Sequence, residues 1–347
     1  MKQRKRSTRS RRSYIRKAGS TTLLAGLAIQ GFPSIVPASV LGKNAPGNRI
    51  NVGAIGTGRI SRIHDMPGVW RHNGAQITAV CDLDTKRAGE ARTLVNQYYS
   101  EKNGKTFEGV TEYHDFRELI ADKDIDAVLI STPDHTHAWI GIAAARAKKH
   151  IYMQKPASLT IAEGRLVSNE VQKSGIKFQI GSQQRSAEQF RYAAELVRNG
   201  RLGDLKTVYV GLPGDPSGEE EPDMPVPPNL NYDMWLASTP WVYYTEKRVH
   251  PQNDYGRPGW LRCEQFGAGM ITGWGSHHID SAHWGMGMER SGPVEIWGEA
   301  EFPASGLWDV HGIFRTEALY ANGVKMVVSN VLPNRIKFEG TKGWIFV

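Results

Sequence analysis

RINVGAIGTGRIS, residues 49–61, is the stretch that decides the fold of this chain. Its apolar residues 50–55 predict a buried strand, and the glycine-rich turn after them leads into a helix predicted to begin near Ile60. Gly56 permits the tight turn. Gly58 lets the backbone approach a pyrophosphate, to which the new helix offers unpaired N–H groups and its positive dipole end. Ser61 replaces the usual third glycine but is small enough for close helix–strand packing. The order strand, glycine turn, helix predicts a dinucleotide-binding βαβ unit.

The next strand supports that interpretation. Residues 75–81 predict a strand that ends at Asp82, at the distance expected of the acid that binds the ribose hydroxyls. A carboxylate there repels a 2′-phosphate and favours NAD, while Lys86 and Arg87 lie close enough to keep NADP possible. The residues predicted to contact the cofactor from this unit are Gly56, Thr57, Gly58, Arg59, Ile60 and Asp82.

Further strands and helices alternate along the chain. A helix is predicted over residues 116–120, a strand over 126–130, a helix over 138–149 and a strand over 151–153. Such alternation predicts a parallel, doubly wound sheet. Ligands bind beyond the carboxyl ends of the strands of such sheets, which is where residues 132–137 and 154–156 fall.

Length and composition fit a globular protein with two domains. The chain has 347 residues, of which 40% are apolar. Nine Lys and Arg, without Asp or Glu, lie in residues 1–17, so removing these nine from the formal charge of +8 leaves −1 for the rest. The basic charge therefore gives no support to nucleic-acid binding by the folded body. Cys81 and Cys263 have no metal-ligand spacing and are interpreted as core thiols.

The N-terminus has the order of an export signal. Residues 10–16, SRRSYIR, form a twin-arginine pattern, an interrupted apolar stretch follows over residues 18–31, and small residues near Ala38 offer a cleavage site. The apolar stretch is too short and too mild for a membrane span. We therefore predict a signal peptide and linker over residues 1–47, export to the periplasm, and no membrane association beyond export.

Three motifs together resemble a known family. GTG at 56–58, STPDHTH at 131–137 and QKP at 154–156 resemble the signature of the Gfo/Idh/MocA oxidoreductases, and the resemblance continues through GSHHID at 275–280. It implies a Rossmann domain over residues 49–181 and a substrate and oligomerisation domain over 182–347. The expected fold class is α/β, with the doubly wound parallel sheet followed by an α+β domain built on an open, mainly antiparallel sheet with helices on one face. The resemblance also implies NAD as cofactor, a sugar-type substrate and homo-oligomers.

The resemblance assigns further site residues. It places Thr132, Pro133, His135, His137, Gln154 and Lys155 at the cofactor, and Lys155, Arg185, His277, His278 and Asp280 at the substrate. Two positions depart from the family: the usual Glu-Lys-Pro is Gln154-Lys155-Pro156, and Gly273 stands where many dehydrogenases carry Asp. Without that carboxylate, the acid/base chemistry requires another group or differs from simple alcohol oxidation.

His277 and Lys155 are the predicted catalytic residues. Hydride transfer from an alcohol carbon needs a base, and histidine is the side chain with an ordinary pKa nearest neutrality. A lysine at a strand end stabilises developing alkoxide charge and holds the nicotinamide. His277, His278, His283 and Asp280 also raise the possibility of a metal site, but adjacent helical histidines point apart and we predict none. Asp280 is interpreted as orienting His277 or a sugar hydroxyl, or as a plain charge at a helix start.

The second half contributes less specific signals. Residues 205–211 predict its first strand, residues 215–229 a long surface loop, and residues 295–302 and 325–332 further strands. Aromatic residues between them fit a sugar-facing wall or the filling beneath a loop: Trp235, Trp241, Tyr243, Tyr244, Tyr255 and Trp260. The chain stops inside the predicted strand that begins at Gly343, so we expect that it is truncated.

The leading hypothesis is an NAD(P)-dependent oxidoreductase of a sugar, polyol or keto-sugar. Because free nicotinamide cofactor is scarce outside the cytoplasm, an exported enzyme is expected to hold its cofactor tightly and recycle it. One alternative is a redox-neutral glycoside hydrolase or lyase that uses NAD through a transient keto-sugar, and the absence of a carboxylate at Gly273 favours it. Another alternative is a sugar-binding protein without turnover.

Overall fold

The glycine-rich stretch opens a six-stranded parallel sheet. The computed structural model describes residues 46–347 and orders the strands of this sheet β3-β2-β1-β4-β5-β6, with every pair parallel. The strands are β1 (Ile50–Ile55), β2 (Ala75–Cys81), β3 (Thr111–Tyr113), β4 (Ala127–Ile130), β5 (His150–Met153) and β6 (Phe178–Ile180). The order reverses between β1 and β4, which defines the crevice where such sheets bind ligands. The predicted doubly wound fold is confirmed.

Helices connect these strands. They are a π-helical turn (Ser61–Asp65), α1 (Met66–Trp70), α2 (Thr85–Asn103), α3 (Phe116–Ala121), α4 (Asp134–Arg146) and α5 (Ile161–Ser174). Asp84 caps α2 by accepting from the Arg87 amide, and Thr160 caps α5 in a capping box with Glu163. Apolar residues of both sheet faces pack against these helices in two buried clusters, one containing Ile130 and the other Val80.

Helix α4 corrects one prediction. It begins at Asp134 and not at residue 138, because Pro133 supplies an extended N-terminal boundary and the chain turns helical directly after it. The motif residues His135 and His137 therefore lie in the first turns of a helix and are buried.

The second domain is built on another six-stranded sheet. Its order is β12-β11-β7-β10-β9-β8, and among the described strands of this sheet only β7 and β10 run parallel. The strands are β7 (Leu205–Gly211), β8 (Glu295–Ala300), β9 (Phe314–Leu319), β10 (Lys325–Ser329), β11 (Ile336–Gly340) and β12 (Gly343–Phe346). The expected mainly antiparallel sheet is confirmed. Strands β8 and β10 end earlier than predicted, at Ala300 and Ser329.

One face of this sheet carries helices. α6 (Glu188–Arg198) and α9 (Gly275–Met286) pack against the buried sheet residues through Phe190, Ala282 and their neighbours. The short helices α7 (Tyr232–Leu236) and α8 (Gly269–Gly273) complete the domain. Strand β8 exposes all its residues, with Ile296 71% exposed. Oligomerisation through this sheet stays a prediction.

The aromatic cluster is core in part. Trp235 and Tyr244 are buried with Phe266 beneath the loop of residues 212–231, whereas Trp241 is 74% exposed. Filling beneath the loop thus accounts for Trp235 and Tyr244.

The predicted signal peptide falls almost entirely on residues outside the described part of the chain. Residues Pro46–Asn48 form one short 3-10 turn. Within residues 46–347, no helix has the length and apolar character needed to cross a membrane.

Candidate active site

A cavity of about 520 Å³ lies beyond the carboxyl ends of β1, β4 and β5. Residues of the first domain form one wall, and residues of the second domain, including Trp235, Arg257 and Trp274, form the other. The predicted site residues that line it are Gly56, Gly58, Arg59, Ile60, Asp82, Thr132, Pro133, His137, Gln154, Lys155 and His277. The cavity therefore brings the cofactor motif and both predicted catalytic residues together.

The glycine turn is shaped for a dinucleotide. Gly56 has φ +79°, and a Cβ there would lie 2.8 Å from the carbonyl carbon and oxygen of Ser131. A Cβ on Gly58 would meet only an Arg87 guanidinium nitrogen, at 3.6 Å, so the backbone at Gly58 is open to a ligand. Ser61 is buried. A tight turn with an exposed backbone before a helix start fits a pyrophosphate.

Asp82 is fixed in place at the end of β2. One carboxylate oxygen accepts from the Thr57 amide at 2.7 Å and hydroxyl at 2.9 Å, and the other accepts from the Asp84 amide at 3.0 Å. Thr57 is itself buried and acts through this contact. Asp82 thus joins the glycine turn to the end of β2 at the edge of the cavity.

A segment of the second domain covers the same edge. The Arg87 guanidinium donates to the carbonyl oxygens of Pro251 at 2.6 Å and Asp254 at 3.1 Å, and it lies over the Tyr255 ring together with Arg62. Sequence patterns gave no signal for these contacts, because they join residues more than 160 positions apart.

Lys155 reaches across the cavity. It follows β5, and its ammonium donates to the carbonyl oxygen of Gly273 at 2.8 Å. Burial lowers the pKa of Lys155, and the nearby Asp134 carboxyl opposes that effect. The backbone carbonyl of Gly273 thus supplies the contact at the position where the resemblance described above leads us to expect a carboxylate.

His277 presents a neutral imidazole. It is 5% exposed, and burial, followed by the positive charge of Lys155, lowers its pKa to about 4. Its Nδ1 has no hydrogen-bond partner among residues 46–347. A neutral ring beside a cation can accept a proton from a ligand hydroxyl.

The two histidines of α4 differ in position. His137 lines the cavity and donates from Nδ1 to the carbonyl oxygen of Pro156 at 2.6 Å, and burial lowers its pKa to about 4. Its Nε2 has no partner within the described residues, so it offers an acceptor to a ligand. His135 packs between Trp235 and Phe266 outside the lining, with Nε2 2.8 Å from the Trp235 carbonyl oxygen.

Three predicted substrate residues lie outside the cavity lining. Arg185 and Asp280 form a two-pronged ion pair with N–O distances of 2.6 and 2.8 Å. His278 is buried, and its Nδ1 lies 3.0 Å from the Gly211 carbonyl oxygen of β7. Asp280 therefore contacts Arg185 and not His277. In residues 46–347 no group of three or more His, Cys, Asp or Glu side chains is placed to hold a metal ion.

Gln154 has a partner that the sequence did not indicate. It donates to one oxygen of the buried Asp65 at 2.7 Å, and Ser131 donates to the other at 2.6 Å. Burial raises the pKa of Asp65. A glutamate at position 154 would place a second carboxylate against Asp65, which explains why an amide stands here.

Gln154→Glu is therefore expected to destabilise the protein in a pH-dependent way. The new carboxyl has a higher pKa in the folded state than in the unfolded state. Below pH 4 both states are protonated and stability is retained; as pH rises above the unfolded-state pKa, the unfolded state loses its proton more readily and stability falls. A rise of about two pKa units corresponds to a loss of about 3 kcal/mol near neutral pH. Urea unfolding at pH 5 and pH 8 measures it, with the exposed Gln179→Glu as matched control. Equal losses in both variants at both pH values would contradict the Asp65 contact.

The fold and the cavity between its two domains are those of a dinucleotide-dependent oxidoreductase. Residues 50–182 match the family model "Oxidoreductase family, NAD-binding Rossmann fold", and residues 214–347 match "Oxidoreductase family, C-terminal alpha/beta domain". Both models describe Gfo/Idh/MocA proteins and together they span most of the chain. The chain belongs to the Gfo/Idh/MocA oxidoreductase family, and its first domain is of the NAD-binding type.

Individual proteins show the same relationship. Myo-inositol 2-dehydrogenase of Thermotoga maritima is 32% identical over 154 residues, which are 44% of this chain and 42% of the relative. The "Uncharacterized oxidoreductase YrbE" of Bacillus subtilis is 30% identical over 53% of this chain and 47% of its own length. The chain thus spans about half the length of the curated relatives it matches.

Solved structures share the fold. The WlbA dehydrogenase of Bordetella pertussis, in complex with NADH and UDP-GlcNAcA, aligns with a TM-score of 0.62 at 17% identity, covering 86% of this chain and 74% of the other. The aldose-aldose oxidoreductase of Caulobacter crescentus aligns with a TM-score of 0.60 at 21% identity, covering 86% and 76%.

Proposed function

We propose that this protein is an NAD(P)-dependent oxidoreductase that acts on an alcohol carbon of a sugar or polyol, or on the corresponding keto-sugar. One observation carries the proposal. Lys155 of the first domain and a neutral His277 of the second domain line the same cavity, and the glycine turn lines it too. An alcohol oxidation needs a proton acceptor and a cation near the same oxygen, next to a hydride acceptor.

Each side chain has a defined task in this proposal. The substrate hydroxyl loses its proton to His277, while the Lys155 ammonium stabilises the negative charge that develops on the same oxygen. NAD(P), when bound, would supply the acceptor for the hydride that leaves the carbon. Gly56, Gly58 and Asp82 would hold the dinucleotide. The backbone of the two glycines forms the open turn, and the Asp82 carboxylate is fixed beside it.

The side chains of the cavity and the similar proteins support the proposed substrate class. The cavity combines aromatic side chains, Trp139, Trp235 and Trp260, with polar groups such as His137, a mixture suited to sugar faces and hydroxyls. Inositol dehydrogenases are among the similar proteins, and an aldose-aldose oxidoreductase is among the similar structures.

The test is a single-turnover absorbance assay at 340 nm, with purified protein that has been stripped of nucleotide and reconstituted with an equal amount of NAD+ or NADP+. The compounds offered are myo-inositol, glucose, galactose, N-acetylglucosamine and methyl glucosides. At least one is expected to give nucleotide reduction that disappears in His277→Asn. Absence of reduction with all of them, together with release of p-nitrophenol from p-nitrophenyl glycosides, would contradict the oxidoreductase and favour glycoside cleavage.

We also propose export to the periplasm with tightly held, recycled cofactor. The twin-arginine pattern of residues 10–16 supports it, because that route carries folded proteins whose cofactor is already loaded. Cell fractionation of full-length protein and of Arg11→Lys/Arg12→Lys tests it. Equal periplasmic amounts of both proteins would contradict the export route.

A further inference from the structure

A strap of the second domain lies against the residues that follow Asp82. Residues 250–255, here called the strap, contact the start of α2, which comes directly after the acid predicted to bind the ribose. His250 of the strap lines the cavity together with Asp82 and Arg87. The strap therefore forms part of the wall where the adenosine half of a dinucleotide is expected.

Side chains of the strap fix it to the first domain. His250 Nε2 donates to Asp84 Oδ2 at 3.0 Å, and Gln252 Nε2 donates to the same oxygen at 3.3 Å. Asp84 is 1% exposed, so water competes little for these bonds. At the other end of the strap, the Tyr255 hydroxyl donates to Glu90 of α2. The strap is thus held at both ends against the first turns of this helix.

The strap also binds the two cations for which the sequence keeps NADP possible. The Lys86 ammonium donates to the Gln252 carbonyl oxygen at 2.7 Å. Nη2 of Arg87 donates to the carbonyl oxygens of Pro251 at 2.6 Å and Asp254 at 3.1 Å. Both cations are therefore committed to backbone oxygens of the second domain.

Arg87 is also held on its other sides. The residue is 8% exposed, and its guanidinium lies over the Tyr255 ring at 4.6 Å. Its Nη1 stands 3.6 Å from the point that a Cβ on Gly58 would occupy, so this edge of the group faces the glycine turn. A phosphate would be bound through Nη2 only if both carbonyl bonds were given up, which is costly for buried partners.

The other arginines around this part of the cavity have different surroundings. Arg62 donates to the carbonyl oxygen of Thr57 at 2.9 Å. Arg59 follows the glycine turn directly, where a pyrophosphate is expected. Arg257 has its Nη1 3.8 Å from the Met270 sulfur of α8. These arginines therefore belong to the glycine turn and to the α8 wall of the cavity.

We propose that the strap makes this protein selective for NAD(H) over NADP(H), by holding the cations of α2 on its carbonyl oxygens. The inference rests on the proposed function, in which a dinucleotide occupies the cavity. A 2′-phosphate carries about two negative charges and would meet the fixed Asp82 carboxylate. The cations that would offset this repulsion, Lys86 and Arg87, are bonded to the strap. Selectivity is thus set by the second domain as well as by Asp82.

Binding measurements test this selectivity without substrate or turnover. Purified protein is stripped of nucleotide, and isothermal titration calorimetry gives its Kd values for NAD+ and NADP+. We expect NADP+ to bind at least about 100-fold more weakly than NAD+. Binding of NADP+ within about tenfold of NAD+ would overturn the inference and leave the proposed oxidoreductase standing. Binding of neither nucleotide would contradict the proposed function itself, and this inference with it.

Variants separate the effect of the strap from that of Asp82. Asp82→Asn removes the repulsion and is expected to lower the ratio of the NADP+ Kd to the NAD+ Kd by about tenfold. Adding Tyr255→Ala removes the ring from Arg87 and the contact with Glu90. The strap then loosens and frees the guanidinium for the phosphate, so the ratio is expected to fall by about tenfold more. Tyr192→Ala, at a 60% exposed position of α6, is the matched control and is expected to leave the ratio of Asp82→Asn unchanged.

A double variant with the same ratio as Asp82→Asn would overturn the role of the strap, because the carboxylate alone would then set the selectivity. If Tyr255→Ala does not fold, Gln252→Ala loosens the strap by removing its contact with Asp84, and the same further fall is expected. Adding Arg87→Met to the loosened variant is expected to reverse that further fall. A ratio that stays low without Arg87 would contradict the inference, because another group would then hold the phosphate.

Discussion

Gly56→Ala is expected to weaken dinucleotide binding severely. Gly56 has φ +79°, which strains any residue with a Cβ, and the added atom would lie 2.8 Å from the Ser131 backbone at the end of β4. Relief of that contact requires the turn to move away from the strand end, and with it the amides that would hold the pyrophosphate. We expect the affinity for NAD+ or NADP+ to fall at least about 100-fold, or about 3 kcal/mol.

Isothermal titration calorimetry with both nucleotides measures the effect, and far-UV circular dichroism checks that the variant is folded. Gly74→Ala is the matched control, because no atom lies within 4 Å of its added Cβ and its backbone is not in the left-handed region. If Gly56→Ala bound nucleotide within about threefold of the wild type while folded, the turn would not be the pyrophosphate site.

Removal of the Lys155 charge is expected to reduce turnover by about 10³-fold, because preorganised electrostatic stabilisation of a developing oxyanion contributes about that much. Lys155→Met keeps most of the length of the side chain and removes the ammonium and its contact with Gly273. Because Lys155 lowers the pKa of His277, the variant should also show a raised His277 pKa, so that the acid limb of the pH profile moves to higher pH.

Steady-state kinetics at several pH values, with the best compound from the substrate panel, measures both effects. Lys177→Met changes an exposed lysine in the same way and is expected to behave as wild type. Retention of more than about one tenth of kcat in Lys155→Met would contradict the role given to this ammonium.

The first sheet was predictable because its information is local. Residues 49–61 contain the strand, the turn and the helix start, and Asp82 follows the next strand directly. The structure confirms β2 at the bounds predicted for it, and it brings Gly58, Lys155 and His277 to one cavity.

The rest of the site depends on contacts between distant segments. Asp65 and Gln154 lie 89 residues apart, and Lys155 reaches the carbonyl of a residue 118 positions away, so no periodicity indicates either pair. The predicted start of α4 at residue 138 is too late. The apolar pattern is strongest from Ala138 onward, whereas Pro133 sets the helix boundary. The late predicted start leaves the burial of Asp134 unpredicted.

Residue types alone gave no sign of the partners of three predicted substrate residues. Arg185 and Asp280 satisfy each other in an ion pair, and His278 serves the packing of α9 on β7. Binding of substrate by these three side chains stays a prediction. Their partners are distant in sequence, so only the folded second domain brings them into contact.

Deuterium transfer tests the central claim most directly. The protein is incubated with [4-²H]NADH, in both stereochemical forms, and with the keto form of the best substrate, and the deuterium content of the alcohol product is measured by mass spectrometry. We expect one of the two forms to deliver its deuterium to the carbinol carbon, and Lys155→Met to deliver about 10³-fold less in the same time. Nucleotide that binds in the cavity yet keeps its deuterium in both forms would contradict hydride transfer at the site of Lys155 and His277.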